Sequence, residues 1–285
     1  MNQRTTAREA LKHGAAHLQP SPTATRDAEL LLMRTLGKDR AWLLTHPHDP
    51  IAPNQLAQYK NWINLRQKQE PIQYILGEQE FYGLVFHVTR DVLIPRPETE
   101  HLVEAALQRL PTNTPLRIAD IGTGSGAIAI ALAHKLPQAK ITALDISAKA
   151  LAVAKENAAR HNVAERIDFR ESDLLKAVAG ETFDAIVSNP PYVSTNEKLE
   201  QQVRDYEPAA ALYAGETGLD IYRRLIPQAK TALKPNGWLL MEIGHSQRDA
   251  LAELLRDWSG VEFIDDLQGI PRVACATRIA GINVR

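Results

Sequence analysis

The sequence predicts an α/β fold in which a mostly parallel sheet of seven strands follows a small N-terminal helical bundle. Apolar residues recur at intervals of three and four up to about residue 70, which is the spacing of amphipathic helices. After Pro115, short apolar runs alternate with segments of helical length, as in parallel sheets. The last two runs are joined by a short turn at Gly269 and Pro271. They are expected to pair antiparallel, because no crossover helix fits between them.

The first domain, residues 1–75, is predicted to form the helical bundle. Five prolines divide it into helices of roughly 8 to 18 residues, and these are Pro20, Pro22, Pro47, Pro50 and Pro53. His13 and His17 lie four residues apart, but no third ligand of suitable type is near them, so no metal site is predicted. Because the bundle has no catalytic constellation, it is either a packing domain or a substrate-docking domain, and we favour docking.

Residues 76–95 are predicted to form a β-hairpin linker, because apolar and other residues alternate around Gly83. The third segment, residues 96–285, begins with a helix whose first turn contains Pro97 and places Glu98 and Glu100 at the positive end of the helix dipole. The predicted strands are residues 116–121, 141–144, 167–170, 183–188, 238–243, 261–264 and 272–277. This pattern is typical of the Rossmann-like class I methyltransferase fold, which has an antiparallel last strand.

The composition excludes several classes of protein. The 33 basic and 34 acidic residues nearly cancel, so direct nucleic-acid binding through many phosphate contacts is not expected. No apolar run approaches the roughly 20 residues that cross a bilayer, so no membrane association is expected. Residues 1–10 lack the apolar stretch of a secretory signal, and the single cysteine, Cys275, is interpreted as a small apolar residue of a C-terminal strand. These features predict a cytoplasmic protein.

A glycine-rich loop after the first strand is the predicted cofactor site. Its binding residues are Gly122, Thr123, Gly124, Ser125 and Gly126. The three glycines permit a tight turn and the close approach of a ligand to the backbone. At the end of the second strand, Asp145 can accept hydrogen bonds from both hydroxyls of a ribose. The same arrangement fits a nicotinamide or flavin enzyme, so the loop alone leaves the cofactor open.

A third candidate cofactor contact follows the third strand. Here Asp173 can accept a hydrogen bond from an exocyclic adenine amine, while Leu174 packs on the ring. The alternative interpretation is that Asp173 caps a short helix.

The fourth strand leads directly into Asn189-Pro190-Pro191-Tyr192, at the edge where open α/β sheets bind ligands. The two prolines fix their backbone torsions and supply no N–H. The Asn189 side-chain oxygen and the Pro190 carbonyl can accept both hydrogens of one flat NH₂ group, and the Tyr192 ring can cover its plane. The motif therefore predicts methyl transfer to an amide-like or base-like nitrogen. The predicted catalytic residues are Asn189, Pro190 and Tyr192. Together with Pro191 they form the predicted substrate pocket. Asn189 is also a predicted cofactor contact.

These residues resemble the HemK/PrmC family of peptide chain release factor glutamine N5-methyltransferases. The similar segments are residues 71–77, 80–81, 92–100, 120–126, 189–192, 206–208, 215–222, 269 and 272–273. The glycine loop and the Asn-Pro-Pro-Tyr motif are shared with adenine-N6 and other amino methyltransferases. Residues 93–100 are more specific to the HemK/PrmC family. Family members often have an aromatic residue beside the adenine, where this chain has Leu174.

The resemblance implies S-adenosyl-L-methionine as cofactor and, as substrate, the glutamine of the Gly-Gly-Gln motif in class 1 release factors. It also implies that residues 122–126, Asp145, Leu174 and Asn189 hold the cofactor. The sequence argues against two other functions. An adenine-N6 methyltransferase acting on DNA or RNA would need a basic recognition surface, and a non-catalytic scaffold would not need an intact glycine loop.

Overall fold

The computed structural model describes residues 5–279, which form two compact units. The smaller unit contains residues 5–77 and 200–206, and the larger unit contains the described remainder. Residues 1–4, the start of the N-terminal segment considered above, and residues 280–285 lie outside the described part of the chain.

The smaller unit is a helical bundle with its own apolar core. Its helices are α1 (Ala7–His17), α2 (Ala24–Leu36), α3 (Arg40–Thr45), α4 (Pro53–Gln67), α5 (Ile72–Leu76) and α9 (Gln201–Tyr206). Thr6 begins α1 with a capping box to Glu9, which satisfies amide groups that a helix start leaves unpaired. Helices α1 and α4 pack closely at Gly14, where a Cβ atom would lie 2.0 Å from the Tyr59 hydroxyl.

Helix α9 is a member of the smaller unit although it follows the Asn-Pro-Pro-Tyr motif in the chain. Arg66 forms a buried ion pair with Asp27 at 2.7 Å and also donates a hydrogen bond to Gln202 of α9 at 3.4 Å. The Tyr206 hydroxyl donates to the Lys68 carbonyl at 2.8 Å. The periodicity of the sequence gives no sign of this pairing, because it depends on polar contacts between distant segments.

The larger unit contains a two-stranded hairpin and a seven-stranded sheet. Its helices are α6 (Glu100–Arg109), α7 (Ala127–Lys135), α8 (Ala148–Arg160), α10 (Asp220–Ala232) and α11 (Arg248–Leu254). The strands are β1 (Glu78–Phe81), β2 (Leu84–His87), β3 (Arg117–Ile121), β4 (Lys140–Asp145), β5 (Ile167–Glu171), β6 (Phe183–Ser188), β7 (Leu233–Glu242), β8 (Ser259–Asp265) and β9 (Pro271–Thr277).

The seven strands lie in the order β5-β4-β3-β6-β7-β9-β8. All neighbours from β5 to β7 are parallel, and β9 runs antiparallel to both β7 and β8. This confirms the predicted fold class, including the antiparallel last strand. Cys275 is buried in β9. Within residues 5–279, no helix has the length and apolar character needed to span a bilayer.

The hairpin β1–β2 differs from the predicted linker. It is present around Gly83, whose φ of 74° suits the turn. However, Phe81 and Phe86 are 1% and 0% exposed and belong to the same apolar core as helix α7. The hairpin is therefore part of the larger unit, because its two aromatic rings are buried there rather than exposed along a connecting segment.

Candidate active site

The glycine loop joins β3 to α7 at the carboxyl edge of the sheet. Gly122, Gly124 and Gly126 all have positive φ, at 71°, 56° and 82°, a conformation that other residues rarely adopt. The amides of Gly122 and Thr123 both donate to the Leu144 carbonyl, at 2.8 and 3.0 Å. At Gly126 a Cβ would also meet Ile130 at 3.0 Å. Glycine is thus required here by backbone conformation and by helix packing.

Asp145 ends β4 and holds this loop through its side chain. One carboxylate oxygen accepts from the Gly124 amide and the other accepts from the Ser147 amide, both at 2.9 Å. Burial raises the pKa of Asp145, and the hydrogen bonds from Ser147 and Gly124 oppose that shift. The carboxylate predicted to contact a ribose therefore has a second task, since it also fixes the conformation of the glycine loop.

Asp120, the first residue of the loop motif, is fully buried. Its Oδ2 accepts from the Thr123 hydroxyl at 2.6 Å, while its Oδ1 has no hydrogen-bond partner among the described residues. Burial raises the pKa of Asp120 to about 7. An unpaired buried oxygen is uncommon and often marks a polar site.

Asn157 of α8 is a supporting residue that the sequence interpretation missed. It is completely buried, and its Nδ2 donates to the carbonyls of Ser125 and His87, both at 2.9 Å. Its Oδ1 accepts from the His87 amide at 2.7 Å. Asn157 thereby ties the glycine loop to strand β2. The only sequence signal was a polar residue on the apolar face of an amphipathic helix.

Asp173 and Leu174 occupy the loop after β5. The Asp173 carboxylate forms ion pairs with Arg224 at 2.6 Å and Lys176 at 2.7 Å, and the hydrogen bonds from Arg224 and Lys176 lower its pKa. Its oxygens are thus already shared with two cations, and its predicted contact with an adenine amine stays a prediction. Leu174 has φ of 56° and packs at the border of an apolar core.

A second residue that the sequence interpretation missed is Ile146, directly after Asp145. Its side chain is 63% exposed, which is unusual for a large aliphatic residue beside a partly buried carboxylate. An exposed apolar side chain in this place offers a surface for the flat face of a ligand.

The Asn-Pro-Pro-Tyr turn begins where β6 ends, at the same edge of the sheet. Asn189 is half-buried, and its Nδ2 donates to the Thr99 hydroxyl at 3.0 Å. The hydrogen bonds described for residues 5–279 do not use the Pro190 carbonyl as an acceptor. A Cβ built on Gly122 would lie 3.9 Å from the Asn189 carbonyl. The structure therefore brings the predicted cofactor loop and the predicted substrate pocket together.

Tyr192 is held from two sides. Its hydroxyl donates to Glu242 Oε1 at the end of β7, at 3.2 Å, and its carbonyl accepts from Gln247 at 3.0 Å. Burial raises the pKa of Tyr192, and the neighbouring Glu242 adds to the shift. The phenol therefore stays neutral and the ring has a fixed orientation.

The segment 93–100 is anchored by Glu207, which is 6% exposed. The Glu207 carboxylate accepts from the Ile94 amide at 3.2 Å and forms an ion pair with Arg96. This anchor fixes the segment that carries Thr99. Because its members are more than 100 positions apart in the sequence, only the structure reveals their contact.

No cluster of three or more metal-ligating side chains occurs within residues 5–279. In the bundle, His17 Nδ1 lies 2.9 Å from the His13 carbonyl, as expected for neighbours on successive turns of a helix.

Known protein families match the chain in two segments. Residues 9–77 match the PrmC N-terminal domain, and residues 101–206 match the methyltransferase small domain. Among solved structures, a ribosomal protein L11 methylase from Lactobacillus delbrueckii subsp. bulgaricus has a TM-score of 0.50 at 26% identity, covering 68% of this chain and 84% of its own. A methyltransferase from Pyrococcus furiosus has a TM-score of 0.52 at 17% identity, covering 80% of this chain and 100% of its own, and supports the fold alone.

Two relatives are similar over nearly the whole length of both proteins. A release factor glutamine methyltransferase from Koribacter versatilis (strain Ellin345) is 51% identical over 267 residues, which cover 93% of this chain and 94% of the relative. The protein of that name from Clostridium acetobutylicum is 41% identical, and the match covers 88% of this chain and 90% of the relative. With the class I fold and the assembled glycine loop and Asn-Pro-Pro-Tyr turn, this similarity shows that the chain belongs to the release factor glutamine methyltransferase family.

Proposed function

We propose that this enzyme methylates the side-chain amide nitrogen (N5) of the glutamine in the Gly-Gly-Gln motif of class 1 peptide chain release factors, using S-adenosyl-L-methionine. One observation carries the proposal for the site. Because Asn189 Nδ2 is engaged by Thr99, Oδ1 is the atom of that amide which is available to accept from a substrate N–H. The proposed location is the cytoplasm, where release factors act in translation.

The residues of the carboxyl edge fit the proposed cofactor. When bound, S-adenosylmethionine supplies a methyl group on a sulfonium, which is a good leaving group. The Asp145 carboxylate would accept from the ribose hydroxyls, and the exposed Ile146 side chain would cover the adenine beside Leu174. Residues 122–126 would approach the methionine part through bare backbone. The nearest atom to a Cβ on Gly122 is the Asn189 carbonyl at 3.9 Å, so the loop leaves open space beside the substrate pocket.

The substrate pocket acts by orientation. An amide nitrogen is a weak nucleophile because its lone pair is delocalised into the carbonyl. The Asn189 oxygen and the Pro190 carbonyl would each accept a hydrogen bond from one N–H of the amide. This orientation directs the lone pair of the nitrogen at the methyl carbon. The Tyr192 ring would cover the plane of the amide. The cofactor would supply the methyl group and retain the electron pair of the broken C–S bond on sulfur, and the amide nitrogen would afterwards lose one proton to solvent.

Methyl transfer to a purified release factor tests this function. The enzyme is expected to transfer labelled methyl from S-adenosylmethionine to the wild-type factor, and mass spectrometry of the peptide is expected to place one methyl group on the glutamine of the Gly-Gly-Gln motif. A release factor with glutamate at that position is the matched control and should stay unlabelled. Labelling of DNA or RNA in place of the release factor would contradict the proposal and favour an adenine methyltransferase.

We further propose that the bundle docks the release factor. The bundle has a concave surface between α1 and α4 that encloses a volume of about 590 Å³. This surface includes His13, His17, Lys60 and Asn64. Deleting residues 1–70 is a poor test of docking, because α9 would lose the helices with which it packs. Substitution on the concave surface avoids that problem.

Lys60→Glu is expected to raise KM for the whole release factor on the order of tenfold, the cost of one significant interface contact. The kcat/KM for a short glutamine peptide and the Kd for the cofactor should not change, because Lys60 belongs neither to the glycine loop nor to the Asn-Pro-Pro-Tyr turn. Lys12→Glu is the matched control, because it makes the same change of charge on α1 but outside this concave surface. An unchanged KM for the release factor in Lys60→Glu would contradict docking at this surface.

A further inference from the structure

Gln247 is a buried amide that connects three backbone segments. It lies directly before α11 and is 9% exposed. Its Oε1 accepts from the Gly244 amide at 3.0 Å, while its Nε2 donates to the carbonyls of Tyr192 at 3.0 Å and Gly218 at 3.2 Å. One side chain thus joins the segments after β6, before α10 and after β7, and the first of them is the end of the Asn-Pro-Pro-Tyr turn.

The backbone packs closely against Tyr192 at the two glycines that Gln247 contacts. A Cβ on Gly218 would lie 2.2 Å from the Tyr192 carbonyl oxygen. A Cβ on Gly244 would lie 3.3 Å from Tyr192 Cδ2 and 3.0 Å from Gln247 Oε1. The absence of a side chain at both positions therefore allows the main chain to enclose the Tyr192 carbonyl and one edge of its ring.

Glu242 holds the opposite end of Tyr192. It ends β7 and is 2% exposed. Its Oε1 accepts from the Tyr192 hydroxyl at 3.2 Å, and its backbone carbonyl accepts from the Tyr222 hydroxyl of α10 at 2.7 Å. Its Oε2 has no hydrogen-bond partner among residues 5–279. A buried carboxyl that is only partly hydrogen-bonded destabilises a fold, so its contact with Tyr192 calls for a functional explanation.

The two contacts together restrict how the Tyr192 ring can move. A tyrosine side chain rotates about two bonds and can leave a pocket by changing either one. Hydrogen bonds at its hydroxyl and at its main-chain carbonyl oppose both movements. In the proposed reaction this ring covers the plane of the substrate amide, and methyl transfer requires that amide at a defined distance and angle from the methyl carbon. Contacts remote from the reacting atoms can therefore control the rate.

We propose that Gln247 and Glu242 are positioning residues that together fix Tyr192, Gln247 at its main chain and Glu242 at its hydroxyl, and so hold the ring over the substrate amide. The inference rests on the proposed function, since it concerns the residue that covers the amide. Neither side chain exchanges a proton with the substrate. Both act through Tyr192, so the effect of each on the rate depends on that residue.

Gln247→Glu tests the main-chain contact. Glutamate keeps the volume of the side chain and the acceptor for the Gly244 amide, but it replaces the Nε2 donor with an oxygen that faces the carbonyls of Tyr192 and Gly218. The turn must then shift away from position 247. We expect kcat for the release factor to fall on the order of tenfold, less than for loss of the Asn189 side chain. KM should change little, because docking involves many contacts.

Gln55→Glu is the matched control. Gln55 of α4 also donates from Nε2 to a backbone carbonyl, that of Thr35, at 3.3 Å. The same substitution therefore removes the same kind of contact in the smaller unit, and kcat should not change. Thermal melting of both variants identifies any loss of folding. A folded Gln247→Glu variant whose kcat equals that of Gln55→Glu would overturn the proposal.

A double-mutant cycle tests the contact between Glu242 and the Tyr192 hydroxyl, whether or not the Gln247 variant folds. Tyr192→Phe and Glu242→Leu are each expected to lower kcat about fivefold, the worth of one ordinary hydrogen bond. The double variant should lose no more than either single variant, because both substitutions remove the same contact. Glu242→Gln keeps an acceptor oxygen and should retain most of the wild-type kcat.

Thermal stability separates positioning by Glu242 from a purely structural role. Each single variant leaves a buried polar partner unpaired and should melt at a lower temperature, whereas the double variant removes both partners and should recover part of that loss. The rate should not recover with it, because the ring is still released. Multiplicative losses of kcat in the double variant, or a kcat that recovers together with the melting temperature, would overturn the proposal.

A further readout does not depend on activity. The ring resonances of Tyr192, assigned through their absence in Tyr192→Phe, should move toward motionally averaged positions in Gln247→Glu and Glu242→Leu but not in Gln55→Glu. Unchanged Tyr192 resonances in both of the first two variants would overturn the proposal. Lack of methyl transfer by the wild-type enzyme would instead contradict the proposed function, and the resonances would still show whether Gln247 and Glu242 fix the ring.

Discussion

Asn189→Ala is expected to lower the single-turnover rate of methyl transfer on the order of 10² to 10³, the typical cost of removing one preorganised polar group from an active site. The Asn189 side chain stands at the end of β6 with its Nδ2 bonded to Thr99. Removing the side chain deletes the oxygen that accepts one substrate N–H, so the nitrogen is no longer aimed at the methyl carbon. Release-factor binding should change far less, because docking involves many contacts.

The measurement for Asn189 is single-turnover methyl transfer at saturating cofactor and release factor. Cofactor affinity is expected to fall only modestly, since Asn189 lies beside the glycine loop rather than within it. Asn196→Ala, an exposed asparagine shortly after the motif, is the matched control and should retain its rate. A rate within about threefold of wild type in an Asn189→Ala variant that melts normally would mean that Asn189 is only a turn residue.

Asp145→Ala is expected to raise the cofactor Kd on the order of 10- to 100-fold, since charge-assisted hydrogen bonds contribute roughly 1.5 to 3 kcal/mol. The structure gives this loss two sources. The carboxylate would contact the ribose hydroxyls, and it also accepts from the amides of Gly124 and Ser147. Titration calorimetry with S-adenosylhomocysteine measures the total effect.

An analogue without the ribose hydroxyls separates the two contributions of Asp145. If the carboxylate contacts the ribose, the deoxy analogue should bind the wild-type enzyme more weakly than the parent ligand, and both ligands should bind Asp145→Ala about equally. If Asp145 only shapes the loop, the analogue should lose the same affinity in both enzymes. Wild-type affinity of Asp145→Ala for the parent ligand would rule out both roles.

The sequence was sufficient to predict which segments form the candidate site. Short apolar runs alternating with amphipathic segments report which backbone is strand and which is helix, and parallel strands bring their carboxyl ends to one edge. The glycine loop and the Asn-Pro-Pro-Tyr turn each follow such a strand, so their meeting was predictable. Local chemistry also predicted a tight turn at residues 122–126, where Gly122 has the left-handed conformation that only glycine adopts at no steric cost.

The sequence was not sufficient to predict which side chains pair. Thr99 and Asn189 are 90 positions apart, and Tyr192 and Glu242 are 50 apart. Asp173 fits an adenine contact by position, yet in the structure its carboxylate pairs with Arg224 and Lys176. A periodic pattern reports which face of an element is buried, but it does not report which residue of a distant element lies opposite.

The sequence by itself therefore determined the sheet, its edge and the chemical groups that follow each strand, because these depend on local backbone preference and on the burial of apolar faces. The tertiary structure alone decided the direction of the hydrogen bonds at Asn189, the burial of Glu242 and the packing of α9 in the smaller unit. These features depend on distances between atoms from remote segments.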